Sequence, residues 1–154
     1  MDRAQLDSFA RCYGSVSSPQ DKQDCRERVR EAGYRYLGGS TRDAFMAPSG
    51  DRVVKLEVRG LFNGREIRMS SEGIDALVPV LDHGSGGRWL VMPRVETRGF
   101  NEIPWSDVKQ VKRAIRDAGW ECRDIRRPNI GYMDGRPVAF DYAEQCKKNG
   151  GGLL

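Results

Sequence analysis

The sequence predicts an α+β fold: two helices, a run of short antiparallel strands with one helix set among them, and an amphipathic helix leading into a tight hairpin. Three observations predict it. From Tyr34 onward, short runs rich in Val, Leu and aromatic residues alternate with glycine-containing turns. Between positions 107 and 118, Val108, Val111, Ala114, Ile115 and Ala118 recur at helical spacing and Gly119 closes the run. Asp134-Gly135 separates Ile130–Met133 from Arg136–Phe140, the signature of a two-residue hairpin turn.

Composition bounds the partners. A length of 154 residues suits one domain or two small lobes sharing a core, and an apolar fraction of 38% makes that core an economical one. Lys and Arg exceed Asp and Glu by 26 to 22, a net +4. So mild and interspersed an excess is too weak to argue for nucleic acid, which is not expected as a partner, and would suit a phosphate-bearing ligand equally well. Cys12, Cys25, Cys122 and Cys146 are widely spread, with no C-x-x-C pair and one histidine, His83, which argues against zinc. Disulfides stay open at this point, but reduced thiols in the cytoplasm are the expectation. The N-terminus lacks a signal-like apolar run, and no stretch approaches the ~18 apolar residues of a membrane span. A soluble protein without membrane partners is expected.

The elements follow in order. Residues 3–13 carry Leu6, Phe9 and Ala10 on one face. Ser18-Pro19-Gln20-Asp21 starts a second helix, with Ser as cap and Pro in the first turn, and Gly33 stops it. Residues 1–33 are thus a helical extension, read as a covering layer for a small core. Tyr34–Leu37, Asp43–Ala47 and Arg52–Val58 form a meander, and Asn63–Glu72 a helix. Leu77–Leu81 and Arg88–Met92 complete a five-stranded antiparallel sheet, with Asp82-His83-Gly84 at the end of the fourth strand; this lobe spans 34–96. In the next segment, 97–146, Ser106 caps the amphipathic helix and the hairpin follows. The glycine-rich end, 147–154, is expected to be a flexible tail.

The chemistry concentrates between Cys122 and Ala143. Asp124, Asn129 and Asp141 bring three oxygen-bearing side chains around the hairpin, whose register sets residue 129 opposite residue 140. Two oxygen ligands beside a third carboxylate suit Mg²⁺, which completes its shell with water and phosphate oxygens. Upstream, Gly38-Gly39-Ser40-Thr41 forms a glycine turn. Val53-Val54-Lys55-Leu56 is a strand bearing a lysine, and Glu66 lies on the following helix in position to pair with it. Met92-Pro93-Arg94 leaves the last strand of the sheet.

In this order, these motifs resemble the protein-kinase-like superfamily, over roughly residues 34–144. Arg123-Asp124-x-x-x-x-Asn129 is similar to the catalytic-loop pattern H-R-D-x-x-x-x-N, Asp141-Tyr142-Ala143 to D-F-G, and Val53-Val54-Lys55 to the lysine strand. Cys122 stands where the family carries His, and Tyr142-Ala143 where it carries Phe-Gly. The resemblance implies a kinase-like fold with a strongly reduced helical second lobe, since the family's activation segment and large helical lobe have no counterpart after Asp141. It looks like a miniature of the kind expected in phages or other mobile elements, nearer to small-molecule phosphotransferases than to regulated protein kinases.

What the resemblance implies for function is ATP- and magnesium-dependent phosphoryl transfer to a protein or small-molecule hydroxyl. Asp124 would orient the acceptor hydroxyl and take its proton; Asn129 and Asp141 would hold Mg²⁺. Lys55, steadied by Glu66, would meet the nucleotide phosphates under a cover formed by Gly38, Gly39 and Ser40. Met92 would contact the adenine through its backbone, and Arg126 would stabilise the transferring group. The alternative is a pseudokinase scaffold that binds a partner protein. A third reading keeps ATP and Mg²⁺ but transfers a nucleotidyl group.

Overall fold

Ser18 starts a helix in the structure as its sequence dictates. Its hydroxyl accepts from the N–H of Asp21, and the Asp21 carboxylate accepts from the Ser18 N–H in return, a reciprocal cap with Pro19 in the first turn. This helix, α2 (Pro19–Glu31), follows α1 (Arg3–Gly14). The computed structural model describes residues 1–150. By its internal contacts the chain forms two units, one of residues 1–67 and 80–94, the other of residues 68–79 and those from 95 onward.

The first unit is built on a sheet. Its strands are β1 (Arg35–Gly38), β2 (Asp43–Met46), β3 (Arg52–Leu56), β4 (Asp82–His83) and β5 (Trp89–Pro93), with α3 (Leu61–Ser70) beginning after β3. All neighbours are antiparallel in the order β1-β2-β3-β5-β4, the five-stranded sheet that the sequence predicts. Register decides which residues share a face. Phe45 lies opposite Val54 and Val54 opposite Val91, while Leu56 lies opposite Trp89. These residues are buried in one cluster with Leu6, Phe9, Ala10 and Tyr13 of α1 and Cys25 and Val29 of α2. Residues 1–32 therefore complete the core on this side of the sheet. The period of two puts Lys55 on the opposite face.

A buried ionic knot ties the helices to β2. Asp43 is fully buried, accepts from the Tyr13 hydroxyl at 2.6 Å, and takes two bonds from the Arg26 guanidinium at 3.1 and 3.2 Å. Lys22 stands 3.6 Å away. Burial, then the bond to Asp43, pushes the Tyr13 hydroxyl pKa upward, so it donates at all ordinary pH. A disulfide between Cys12 and Cys25, with Cα atoms 5.8 Å apart, joins α1 to α2.

The second unit contains α4 (Trp105–Asp117), which buries Val108, Val111 and Ile115, then β6 (Trp120–Cys122), β7 (Ile130–Met133), β8 (Arg136–Ala139) and β9 (Cys146–Lys148). β7 and β8 form the expected hairpin, Ile130 opposite Ala139 and Met133 opposite Arg136. Asp134 and Gly135 both take positive φ, 50° and 75°, as the turn requires.

Several of these expectations are corrected. Leu77–Leu81 is not a strand of the sheet. Pro79 has no N–H to give a ladder, and the preceding residues turn to β8 instead: Val78 N–H donates to Ala139 O and Ala139 N–H to Ala76 O. The fourth strand is the two-residue β4 (Asp82–His83), on which His83 is exposed. Helix α4 starts one turn-position earlier than Ser106, with Pro104 O accepting from Asp107 N–H, and Ser106 lies inside it. Cys146–Lys148, read in part as flexible tail, is a strand paired with β6; the rest of that tail, 151–154, lies outside the described residues. The thiols are not reduced: Cys122 and Cys146, directly opposite each other in that pair, form a second disulfide with Cα atoms 4.1 Å apart. β-Pairing brings them together across 24 residues, a proximity no local spacing reveals.

The Asp43 knot predicts a graded loss. Asp43→Ala strands two cations and a hydroxyl and should cost about 3–5 kcal/mol. Tyr13→Phe, which leaves Arg26 on Asp43, should cost about 1–3 kcal/mol. Urea denaturation of both variants measures the difference.

Candidate functional site

Each unit carries one group of the residues singled out by sequence. In the first, Lys55 Nζ donates to both carboxylate oxygens of Glu66, at 3.0 and 2.9 Å. A lysine on a strand usually reaches solvent; here Lys55 is 6% exposed and Glu66 wholly buried. The helix that delivers Glu66 is itself held against β3. The buried Glu57 carboxylate, just past that strand, accepts from the N–H groups of Phe62 and Asn63 at 3.1 and 2.9 Å, which satisfies the first turn of α3. Asn63 donates from Nδ2 to Lys55 O at 3.1 Å.

Sequence reasoning missed Arg42. It is buried, donates to Glu66 Oε1 at 2.9 Å and to Asn63 Oδ1 at 3.3 Å, and makes Glu66 the counter-ion of two cations. Register contained the signal. Ala44 lies opposite Lys55, so Arg42, two residues earlier, shares its face, and the small Ala44 side chain leaves room beside the lysine. Burial alone would raise the Glu66 pKa, but Lys55 and then Arg42 outweigh it, and the carboxyl lies below its ordinary value.

Arg42 also ends the glycine turn. Gly38 and Gly39 have φ of 121° and 145°, and a Cβ on Gly39 would stand 1.6 Å from Arg42 O. Only glycine fits there, which keeps the turn's backbone free of side chains. Ser40 follows, exposed. Met92 sits inside β5 opposite Val53, its side chain buried, and the strand continues to Pro93. β4 pairs only with Leu90 and Val91, so among the described residues no strand borders Met92 on that edge of β5.

In the second unit the loop between β6 and β7 holds Asp124 and Asn129. Asn129 donates from Nδ2 to Asp124 O at 2.8 Å, with a longer 3.4 Å contact to Oδ2. This leaves Asn129 Oδ1 as the acceptor end of the amide. Phe140 N–H donates to Asn129 O, extending the hairpin register by one pair and setting Asp141 one residue beyond it. An amide oxygen and a carboxylate are the hard donors a magnesium nucleotide takes, and with so few protein ligands it needs no larger cage. Among the described residues no group of three or more His, Cys, Asp and Glu gathers to hold an ion alone.

Arg126 is largely exposed and pairs its Nε with Asp124 Oδ1 at 2.9 Å. Buried Ile125 anchors the loop between them. The Cys122–Cys146 bridge encloses Asp124, Asn129 and Asp141 in one covalent loop. Cys122 stands at the position where the resembling pattern has His, so a covalent tie occupies the place of a hydrogen-bonding side chain. Tyr142, also inside the loop, is buried and donates to Val78 O at 3.1 Å.

Because the folded Glu66 pKa lies below the ordinary 4.5, the stability it contributes is full above pH 4.5 and is lost as pH falls through the folded value. Glu66→Gln should remove that part of the acid dependence and, by withdrawing the counter-charge shared by two buried cations, cost about 3–5 kcal/mol at neutral pH. Urea titrations across pH test both. Replacing Cys122 and Cys146 together by Ser should cost about 2–4 kcal/mol, read in the same assay.

No protein-family model matches the chain. Nor does any curated protein sequence. Solved structures do. A co-crystal structure of WbdD with the kinase inhibitor LY294002 aligns at a TM-score of 0.55 and 17% identity over 75% of this chain. A medium-resolution structure of WbdD, a bifunctional kinase-methyltransferase, aligns at 0.51 and 18% over 71%. The chain spans 33% and 30% of the lengths of those proteins. Identity this low speaks to fold alone: the chain shares its fold with a part of that kinase-methyltransferase.

Proposed function

We propose that the protein is an ATP- and magnesium-dependent phosphotransferase, a reduced relative of the kinase-like fold that passes the γ-phosphoryl group to the hydroxyl of a small molecule or protein. The observation that carries this reading is the buried Lys55–Glu66 pair. Holding a long, flexible ammonium in one buried pose between Val54 and Leu56 has a use if phosphate oxygens are to meet it. The loop holding Asp124 and Asn129, with Asp141 after the hairpin, supplies the remaining oxygen chemistry.

In this reading the acceptor oxygen attacks the γ-phosphorus, the bond from that phosphorus to the bridging oxygen of ADP breaks, and the acceptor proton passes to the Asp124 carboxylate. Asn129 and Asp141 would hold the magnesium ion, which supplies charge neutralisation between phosphate oxygens. Lys55 neutralises the nucleotide phosphates beneath the glycine turn of Gly38, Gly39 and Ser40, and the backbone near Met92 receives the adenine. Arg126 has two tasks in turn: it orients Asp124 at rest and moves to the transferring group when the acceptor arrives. The rate gain comes from positioning and charge stabilisation, not from a covalent intermediate.

The Arg126–Asp124 ion pair also favours a second reading, a scaffold that binds nucleotide or partner protein without turnover, because a carboxylate already engaged by a guanidinium is not free to meet an acceptor hydroxyl. Melting with ATP and Mg²⁺ separates the two. At one hundred times Kd the ligand stabilises by about 2.7 kcal/mol, a rise in Tm of roughly 5–10 °C. Asp141→Ala should remove the magnesium-dependent part of that rise. With γ-labelled ATP and cell extract, Asp124→Ala should lower transfer by about 10²–10⁴-fold. No Tm rise in the wild type would overturn the nucleotide reading, and a rise without label transfer would favour the scaffold.

A further inference from the structure

The loop that carries Asp124 has more positive charge than that carboxylate uses. Arg123, Arg126 and Arg127 flank it, and Arg126 takes Asp124. Among the described residues neither Arg123 nor Arg127 has a carboxylate at ion-pair distance.

Arg127 is instead held by aromatic rings. Its guanidinium carbon stands 4.3 Å from the Trp105 ring centroid and 5.3 Å from that of Phe100. Its Nε is sealed from solvent and meets no acceptor. Trp105 and Phe100 are 57% and 56% exposed, large apolar side chains that pack poorly for their size. Elsewhere in the second unit Arg98 is stacked likewise, 3.6 Å from the Tyr132 ring centroid, and Tyr132 donates to Asp107.

A guanidinium stacked on rings keeps its charge and its planar donor fork while losing little freedom when an anion arrives. The Nε finds no partner within the protein, and Arg127 is only half-buried, so an oxyanion from solution can reach the guanidinium. The exposed ring faces meanwhile offer an apolar platform beside it.

We propose that Arg127, with Trp105 and Phe100, forms an acceptor subsite that takes the phosphate or carboxylate of a small hydroxyl-bearing anion such as a sugar phosphate or sugar acid. The term acceptor rests on the phosphotransferase reading; anion binding at Arg127 does not. Three residues from Asp124 in one short loop, the subsite would select acceptors whose hydroxyl lies near an anionic group.

The tryptophans supply a direct test without ATP. Trp89 and Trp120 are each 1% exposed, so Trp105 is the tryptophan open to a ligand. The probes are glucose 6-phosphate, glucuronate and neutral glucose at matched ionic strength. The two anions should change the tryptophan emission saturably and glucose should not, with Trp105→Phe abolishing the signal. Arg127→Gln should weaken binding by about tenfold or more, and Arg127→Lys, which keeps charge but loses the planar fork, should weaken it measurably with Tm unchanged. The ratio of the glucose 6-phosphate and glucuronate constants tells which anion the fork prefers. No saturable change with either anion, or titrations indifferent to both Arg127 variants, overturns the subsite. Loss of the ATP-dependent Tm rise with anion binding intact would instead sink the phosphotransferase reading alone.

Discussion

Burying Glu66 between two cations is the constraint on which the first unit turns. A carboxylate taken wholly out of water is costly unless it is paired and bonded, and Lys55 and Arg42 both meet it. To keep that arrangement, α3 must begin where it does, which Glu57 enforces through the N–H groups of Phe62 and Asn63. Position 44 must stay small, and the glycine turn must deliver Arg42 to the start of β2. The opposite face has a matching device in Asp43, whose ties to Tyr13 and Arg26 bind the N-terminal helices to the same strands. One sheet thus carries an apolar, structural face and an ionic face that presents an ammonium.

The second unit solves a different problem. It must hold a loop of polar residues in shape on a short hairpin and a single helix. Three ties do this: the hairpin register that continues to Asn129 and Phe140, the amide of Asn129 on Asp124 O, and the Cys122–Cys146 bridge. A disulfide across paired strands adds a covalent restraint to a loop already anchored by buried Ile125, Ile130 and Tyr142.

Much of this was legible in the sequence, for physical reasons. Turn and cap chemistry is local, so Asp134-Gly135 and Ser18-Pro19-Gln20-Asp21 announced a hairpin and a helix start, and the branched apolar run within Arg52–Val58 announced a strand. What escaped depends on residues far apart in the chain. Leu77–Leu81 has a strand's composition but its backbone pairs elsewhere, and only Pro79 hinted at it. Cys122 and Cys146 become neighbours through β6 and β9, strands too short to show a period. Arg42 looked like one more charged residue beside a glycine turn; its burial follows from register with Lys55, which a linear reading does not display. Arg127 was hidden in the same way, since Phe100 and Trp105 reach it from a separate segment.

On the proposed function, the Glu66-bound ammonium of Lys55 meets nucleotide phosphates. Calorimetric titration of wild type and Lys55→Met with magnesium ATP and with adenosine tests it directly. Wild type should bind ATP more tightly than adenosine, and Lys55→Met should bring the two affinities together while leaving that for adenosine unchanged. Equal affinities in the wild type, or a preference for ATP that survives the loss of Lys55, would contradict the claim.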